Sequence, residues 1–133
     1  MDEMSVVTLR VGPPSIEEVV AIARGGVGVE ISAEAIAAIE ESRAHVERLA
    51  ASGEPVYGIS TGFGALATTY IEPQKRRALQ QALIRSHAAG AGDEVETEVV
   101  RAMMTLRLST LCTGRTGVRV ETAGAYAAML NAH

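Results

Sequence analysis

Residues 95–111 read Val95-Glu96-Thr97-Glu98-Val99-Val100-Arg101-Ala102-Met103-Met104-Thr105-Leu106-Arg107-Leu108-Ser109-Thr110-Leu111. Val95, Val99, Ala102 and Leu106 fall on one apolar line at three-and-four spacing, and Val100, Met104, Leu108 and Leu111 fall on another. The segment predicts a helix buried on two sides, and therefore a fold in which helix packs on helix. Composition agrees. Of 133 residues 47% are hydrophobic, yet there are only one Phe, three Tyr and no Trp, so Ala, Val, Ile, Leu and Met must make the core. The length predicts a single domain with a modest core.

Working upstream, Gly90-Ala91-Gly92 terminates a third helix that opens at Pro73, where a missing amide hydrogen does no harm. Leu79, Ala82, Leu83 and Ser86 form its inner face, and the basic run Lys75-Arg76-Arg77 reads as a solvated face. Nearer the N-terminus, Val6 to Val11 reads as a short strand halted at Gly12-Pro13-Pro14. Ser15 and Glu18 form a capping box for a helix carrying Ile16, Val19, Val20 and Ala23 on one side and closed by Gly25-Gly26. Val27 to Ile31 is a second extended piece. Ser32 caps a helix with Ala35, Ile39, Val46 and Leu49 inward, ended by Gly53 and Pro55. Downstream, Gly114 and Gly117 bracket a turn. A last helix starts near Arg119, where Ala123, Gly124, Ala127 and Ala128 permit close approach of another backbone. That helix reaches His133 without a stop signal, so the chain is expected to be a fragment. The expected architecture is mainly α: one helical unit over residues 1–133, with one or two short strands and a flexible glycine-rich loop at about 54–72.

Charge and cysteine usage exclude several functions. Twelve basic against sixteen acidic side chains leave a net charge of −4, a field that repels phosphates, so nucleic acid is not an expected partner. The acidic start Met1-Asp2-Glu3-Met4-Ser5 lacks the form of a secretion signal, and the longest charge-free stretch, Val56 to Ile71, is interrupted by glycines and too short for a bilayer. A lone Cys112 forms no internal disulfide and fits a reducing compartment, so the expected location is the cytoplasm, without membrane attachment. The histidines at 45, 87 and 133 lack metal-site spacing, and no protein-bound metal is expected.

Tyr57-Gly58-Ile59-Ser60-Thr61-Gly62-Phe63-Gly64 is the least ordinary segment, because its three glycines weaken regular structure and permit unusual backbone angles. It is no phosphate cradle, since Gly64 is followed by Ala65 and Leu66 where the Walker pattern needs Lys and Ser or Thr. Dinucleotide-binding spacing is also missing. On pattern alone the loop is a tight connection and Tyr57 a boundary ring with its hydroxyl in solvent. A tyrosine acts as a base only where positive charge or hydrogen-bond donors stabilise the phenolate. His87, near a helix end, reads equally as a hydrogen-bonded core residue or as a cation at a negative helix terminus. Cys112 reads as an apolar filler, and Ala51-Ser52-Gly53 as an ordinary helix stop.

The blocks Tyr57 to Gly64, then Leu79-Gln80, Ser86-His87-Ala88 and Gly90-Ala91-Gly92, then Val100-Arg101, Met104, Leu106-Arg107 and Gly114 to Val118 occur in an order that resembles the N-terminal part of the aromatic amino acid ammonia-lyases, the histidine-acting members most of all. Ser60 and Ala82 stand where many members carry Asn, and Thr116 where Ser is common. The resemblance implies an enzyme that eliminates ammonia, from L-histidine to give urocanate, using an electrophilic methylidene-imidazolone ring made from an Ala-Ser-Gly triplet beyond His133. It implies that Tyr57 is the base that removes a β-proton, that His87 contacts the substrate side chain, and that Gly58, Ser60, Thr61, Gly62, Phe63 and Gly64 form a mobile active-site cover. It further implies an amino acid substrate, a homotetramer in the complete enzyme and an inactive isolated chain. The other readings are a tyrosine ammonia-lyase or aminomutase, and a helical binding module without catalysis.

Overall fold

The computed structural model describes residues 6–132. They divide into two compact units, residues 6–44 with 94–132, and residues 45–93. In the first, strand β1 (Val6–Leu9) leads through helix α1 (Ile16–Ala23) to strand β2 (Gly28–Ile31). The strands pair in parallel, Val6 opposite Gly28 and Leu9 opposite Ile31. Parallel neighbours cannot be joined by a hairpin, and α1 supplies the crossover. It starts where the sequence predicts: the Ser15 hydroxyl accepts from the Glu18 amide at 3.1 Å while Glu18 accepts from the Ser15 amide at 2.7 Å. Helix α2 (Ala33–Ala51) follows, with Ser32 Oγ accepting from the Ala35 amide at 3.1 Å.

After the second unit, helices α4 (Thr97–Cys112) and α5 (Val120–Asn131) complete the first. Helix α4 packs on α1 and α5, and α5 lies against β2. Their core contains Val7, Leu9, Ile22, Val29, Ile39, Leu108, Leu111 and Leu130, and each large aliphatic side chain so buried contributes about 1.5–3 kcal/mol. Arg101 ties three helices together, donating from Nε to the Ile22 carbonyl at 3.0 Å and from Nη1 to the Leu130 carbonyl at 2.9 Å. The free edge of β2 is closed by a side chain: Asn131 Oδ1 accepts from the Val29 amide at 2.8 Å, and its Nδ2 donates to the Val29 carbonyl at 2.9 Å. Gly114, at φ +66°, allows a close approach, since a Cβ there would lie 2.7 Å from the carbonyl carbon and oxygen of Ala38.

Two packing expectations are corrected. Helix α4 is buried on one side among the described residues, through Thr105, Leu108, Ser109, Leu111 and Cys112, whereas Val99, Val100, Met103 and Leu106 remain exposed. The periodicity reports apolar character all round, but among the described residues the flank with Thr105, Leu108 and Cys112 is covered, whereas Val99, Met103 and Leu106 border an open groove shared with Val19, Val20 and Ala23 of α1. In α5, Ala123 and Ala127 are buried, while Gly124 and Ala128 face outward. No helix among the described residues is long and apolar enough to cross a membrane.

Candidate active site

The second unit carries the glycine-rich loop between the end of α2 and helix α3 (Pro73–His87). Helix α2 stops as its last residues predict. The Ser52 amide and hydroxyl both donate to the Leu49 carbonyl, at 3.3 and 2.8 Å, and Gly53 takes φ +77°. Ala51-Ser52-Gly53 is therefore engaged as a helix stop. Residues 56–60 then form a turn in which the Ile59 and Ser60 amides donate to the Val56 carbonyl at 3.0 and 2.9 Å. The buried Ser60 hydroxyl closes it from inside, accepting from the Val56 amide at 2.8 Å and donating to the Glu54 carbonyl at 2.6 Å. Tyr57 is carried on the outside of this turn, 64% exposed, followed by Gly58 at φ +72°.

Beyond the turn the loop is paired to itself. Thr61 and Tyr70 form an antiparallel bridge, with the Gly62 amide donating to Thr69 at 3.2 Å and the Ile71 amide to Ser60 at 2.8 Å. Buried Thr61 also donates its hydroxyl to the Gly62 carbonyl at 3.1 Å. Between the paired segments lies one 3-10 turn, Gly64–Leu66. Gly62 is required there sterically, because a Cβ would stand 2.5 Å from Leu66 Cβ and 3.1 Å from its carbonyl oxygen.

Phe63, Gly64, Leu83, Ile84 and His87 line a groove of about 640 Å³, within the range of small-molecule sites. The Tyr57 and Phe63 rings meet edge to face, centroids 5.9 Å apart, so Tyr57 is joined to the groove through Phe63. Gly58 lies beside that contact, where a Cβ would stand in ordinary contact 3.5 Å from Phe63 Cε1, so it is the φ of +72° that favours glycine there. Gly58, Ser60, Thr61 and Gly62 frame the loop and do not line the groove. His87 ends α3, exposed, with Nδ1 2.9 Å from the Leu83 carbonyl and 3.0 Å from Ser86 Oγ. A carbonyl oxygen only accepts, which assigns the proton to Nδ1 and leaves Nε2 of the neutral ring as an acceptor.

The expected inner face of α3 is shallow: Leu79 and Leu83 are half-buried, Ala82 and Ser86 exposed. The basic run is not uniformly a solvated face either. Lys75 and Arg77 are exposed, but Arg76 is half-buried and donates to the carbonyls of Ile71 at 3.0 Å and Ala50 at 3.1 Å and to the Tyr70 hydroxyl at 3.2 Å. Those carbonyls flank the loop, and nothing in a run of three cations distinguishes the one that turns inward. Among the described residues no group of three or more His, Cys, Asp or Glu is placed to hold a metal. Cys112 is buried in the first unit, and burial pushes its thiol pKa up from the ordinary value.

The family model for aromatic amino acid lyases matches residues 15–133. A histidine ammonia-lyase from Streptomyces coelicolor is 53% identical over 129 residues, covering 97% of this chain and 25% of the relative. Among solved structures, the ergothionase of Treponema denticola superposes with a TM-score of 0.90 at 31% identity, covering 95% of this chain and 25% of that one. A tyrosine aminomutase from Streptomyces globisporus gives 0.87 at 33% identity, with 94% and 24% covered. The chain thus spans about a quarter of the length of the relatives it matches. With a family model matching residues 15–133 and a relative 53% identical over 97% of this chain, the chain belongs to the aromatic amino acid lyase family.

Proposed function

We propose that this chain supplies the proton-abstracting loop and part of the substrate pocket of a histidine ammonia-lyase, which converts L-histidine to urocanate and ammonia. The observation that carries the reading is the exposed Tyr57 phenol, held on a glycine-framed turn and joined through Phe63 to a groove that contains His87. In this reading the Tyr57 oxygen, as phenolate, takes a hydrogen from the substrate β-carbon. The pair left behind forms the Cα–Cβ double bond as the C–N bond breaks and ammonia departs. His87 Nε2 accepts a hydrogen bond from a ring N–H of the substrate. Phe63, Leu83 and Ile84 give the ring an apolar wall, and Gly58, Ser60, Thr61, Gly62 and Gly64 shape the cover that excludes water.

A β-hydrogen is so weakly acidic that a base alone does not suffice, and the groove lining has no electrophile of its own. The chain's one Ala-Ser-Gly triplet is engaged as a helix stop, so the residues present fit a group brought from elsewhere. A methylidene-imidazolone ring formed outside this chain would supply the electrophile that makes the amine a leaving group. The same reading has residues 1–133 acting as one N-terminal helical part of a cytoplasmic homotetramer, with the loop at about 54–72 as its mobile cover. Exposed Val99, Val100, Met103 and Leu106 on α4 support burial against further segments or chains.

The test is urocanate absorbance in the complete enzyme. Tyr57→Phe is expected to lower turnover by about 10²–10⁴-fold, the range for a positioned general base, and undiminished turnover removes Tyr57 as the base. A tyrosine aminomutase is the second reading, favoured by the structural likeness to one and by an Nε2 acceptor that suits a phenol O–H equally well. Faster consumption of tyrosine than of histidine would select it.

A further inference from the structure

We infer that Arg76 is the positioning residue for the loop that presents Tyr57, acting as a clamp across the loop's two ends; this rests on the reading of Tyr57 as the base. Its three guanidinium nitrogens are each committed to the loop or its borders. Nη1 holds the Ala50 carbonyl in the last turn of α2 at 3.1 Å, just before the loop, and Nε holds the Ile71 carbonyl at 3.0 Å, at its close. Nη2 donates to the Tyr70 hydroxyl at 3.2 Å, and the guanidinium carbon lies 5.5 Å from the centre of the Tyr70 ring.

From that anchor a series of hydrogen bonds leads, through Ile71 and Ser60, to the turn that carries Tyr57. The Ile71 amide donates to the Ser60 carbonyl at 2.8 Å, and the Ser60 hydroxyl binds both Glu54 and Val56, on the N-terminal side of Tyr57. With both ends of the loop tied to one rigid, charged fork, the turn at 56–60 has a defined base. Charge-assisted bonds of this kind are about twice as strong as neutral ones. A lysine has one compact ammonium and cannot reproduce a planar fork reaching three acceptors.

The experiment is a double-mutant cycle in the complete enzyme, with urocanate formation as the readout. Arg76→Met is expected to lower kcat by about 10- to 100-fold, the scale of a misplacement near 1 Å, while KM changes less because the groove side chains remain. Arg76→Lys is expected to keep most of that loss, and it serves as the test if Arg76→Met does not fold. In a Tyr57→Phe background the same substitution is expected to alter the residual rate by less than about twofold, since a residue acting through Tyr57 has nothing left to position. An unchanged kcat, or equal losses in both backgrounds, overturns the inference. Hydrogen exchange at the Gly62 and Ile71 amides separates the two readings. If Tyr57→Phe is fully active, the base assignment fails. Faster exchange in the Arg76 variant then still supports a clamp on the loop, and unchanged exchange overturns the clamp as well.

Discussion

Adding one methyl group at Gly62 tests whether the loop has the geometry described. Gly62 is not among the glycines with positive φ, so Gly62→Ala introduces no left-handed strain. Its whole cost comes from a Cβ placed 2.5 Å from Leu66 Cβ and 3.1 Å from the Leu66 carbonyl oxygen. Both of those atoms move only with the backbone, so rotamer change cannot relieve the clash. Overpacking of this kind costs about 1–3 kcal/mol. Gly64→Ala is the control. Gly64 has φ +55° and nothing within 4 Å of its Cβ position. It would pay about 1–2 kcal/mol for the left-handed backbone, offset by about 0.4–1 kcal/mol from a less flexible unfolded chain. Native-state hydrogen exchange at the Ile71 amide, bonded to Ser60 across the loop, reads the opening free energy of each variant. Leu66→Gly deletes the clashing Cβ and should relieve Gly62→Ala, with a coupling of about 1–2 kcal/mol, whereas Leu66→Ala keeps that atom and should relieve nothing. Additivity of Gly62→Ala and Leu66→Gly within about 0.5 kcal/mol would refute the contact.

Two further predictions concern the first unit. Asn131→Ala removes both partners of the Val29 peptide group, and leaving those groups unpaired is expected to cost about 1–3 kcal/mol in urea unfolding; no change in midpoint would mean that the edge is satisfied in another way. Burial raises the Cys112 thiol pKa from 9.0, so the unfolded chain releases this proton first as pH rises. The stabilising contribution of the neutral thiol is full below pH 9.0 and is lost progressively as the pH climbs toward the folded-state value. The stability difference between the wild-type chain and Cys112→Ala should therefore be constant below pH 9.0 and shift against the wild type above it; a difference independent of pH through that range would refute the assignment.

The contrast between Ser15 and Arg76 shows which part of this protein can be read without coordinates. Ser15 and Glu18 specify a helix start because the two groups they satisfy lie three residues apart, and both bonds form within one turn. Pro73 at the opening of α3 and Gly53 at the close of α2 are legible for the same reason: φ restriction and φ freedom are properties of the residue itself. Ser60 is half legible. Its place in a glycine-rich loop is plain, but its burial as the internal tie between Glu54 and Val56 depends on how the turn closes. Of the site residues, Tyr57, Phe63 and His87 attract attention in the sequence. Their relation through one ring contact and one groove belongs to the folded chain.

What the amino-acid order settles by itself is the succession of helices and short strands, their ends, and the unusual loop carrying Tyr57, because caps, periodicity and backbone preference act over three or four residues. Tertiary structure alone decides that Arg76 turns away from its basic neighbours to hold Ala50 and Ile71, that Asn131 completes the edge of β2, and that Gly114 must lack a side chain against Ala38. It also decides which flank of α4 is covered. In each case the partner is distant along the chain, and a polar group or an atom-sized gap acquires its meaning only when folding brings that partner within reach.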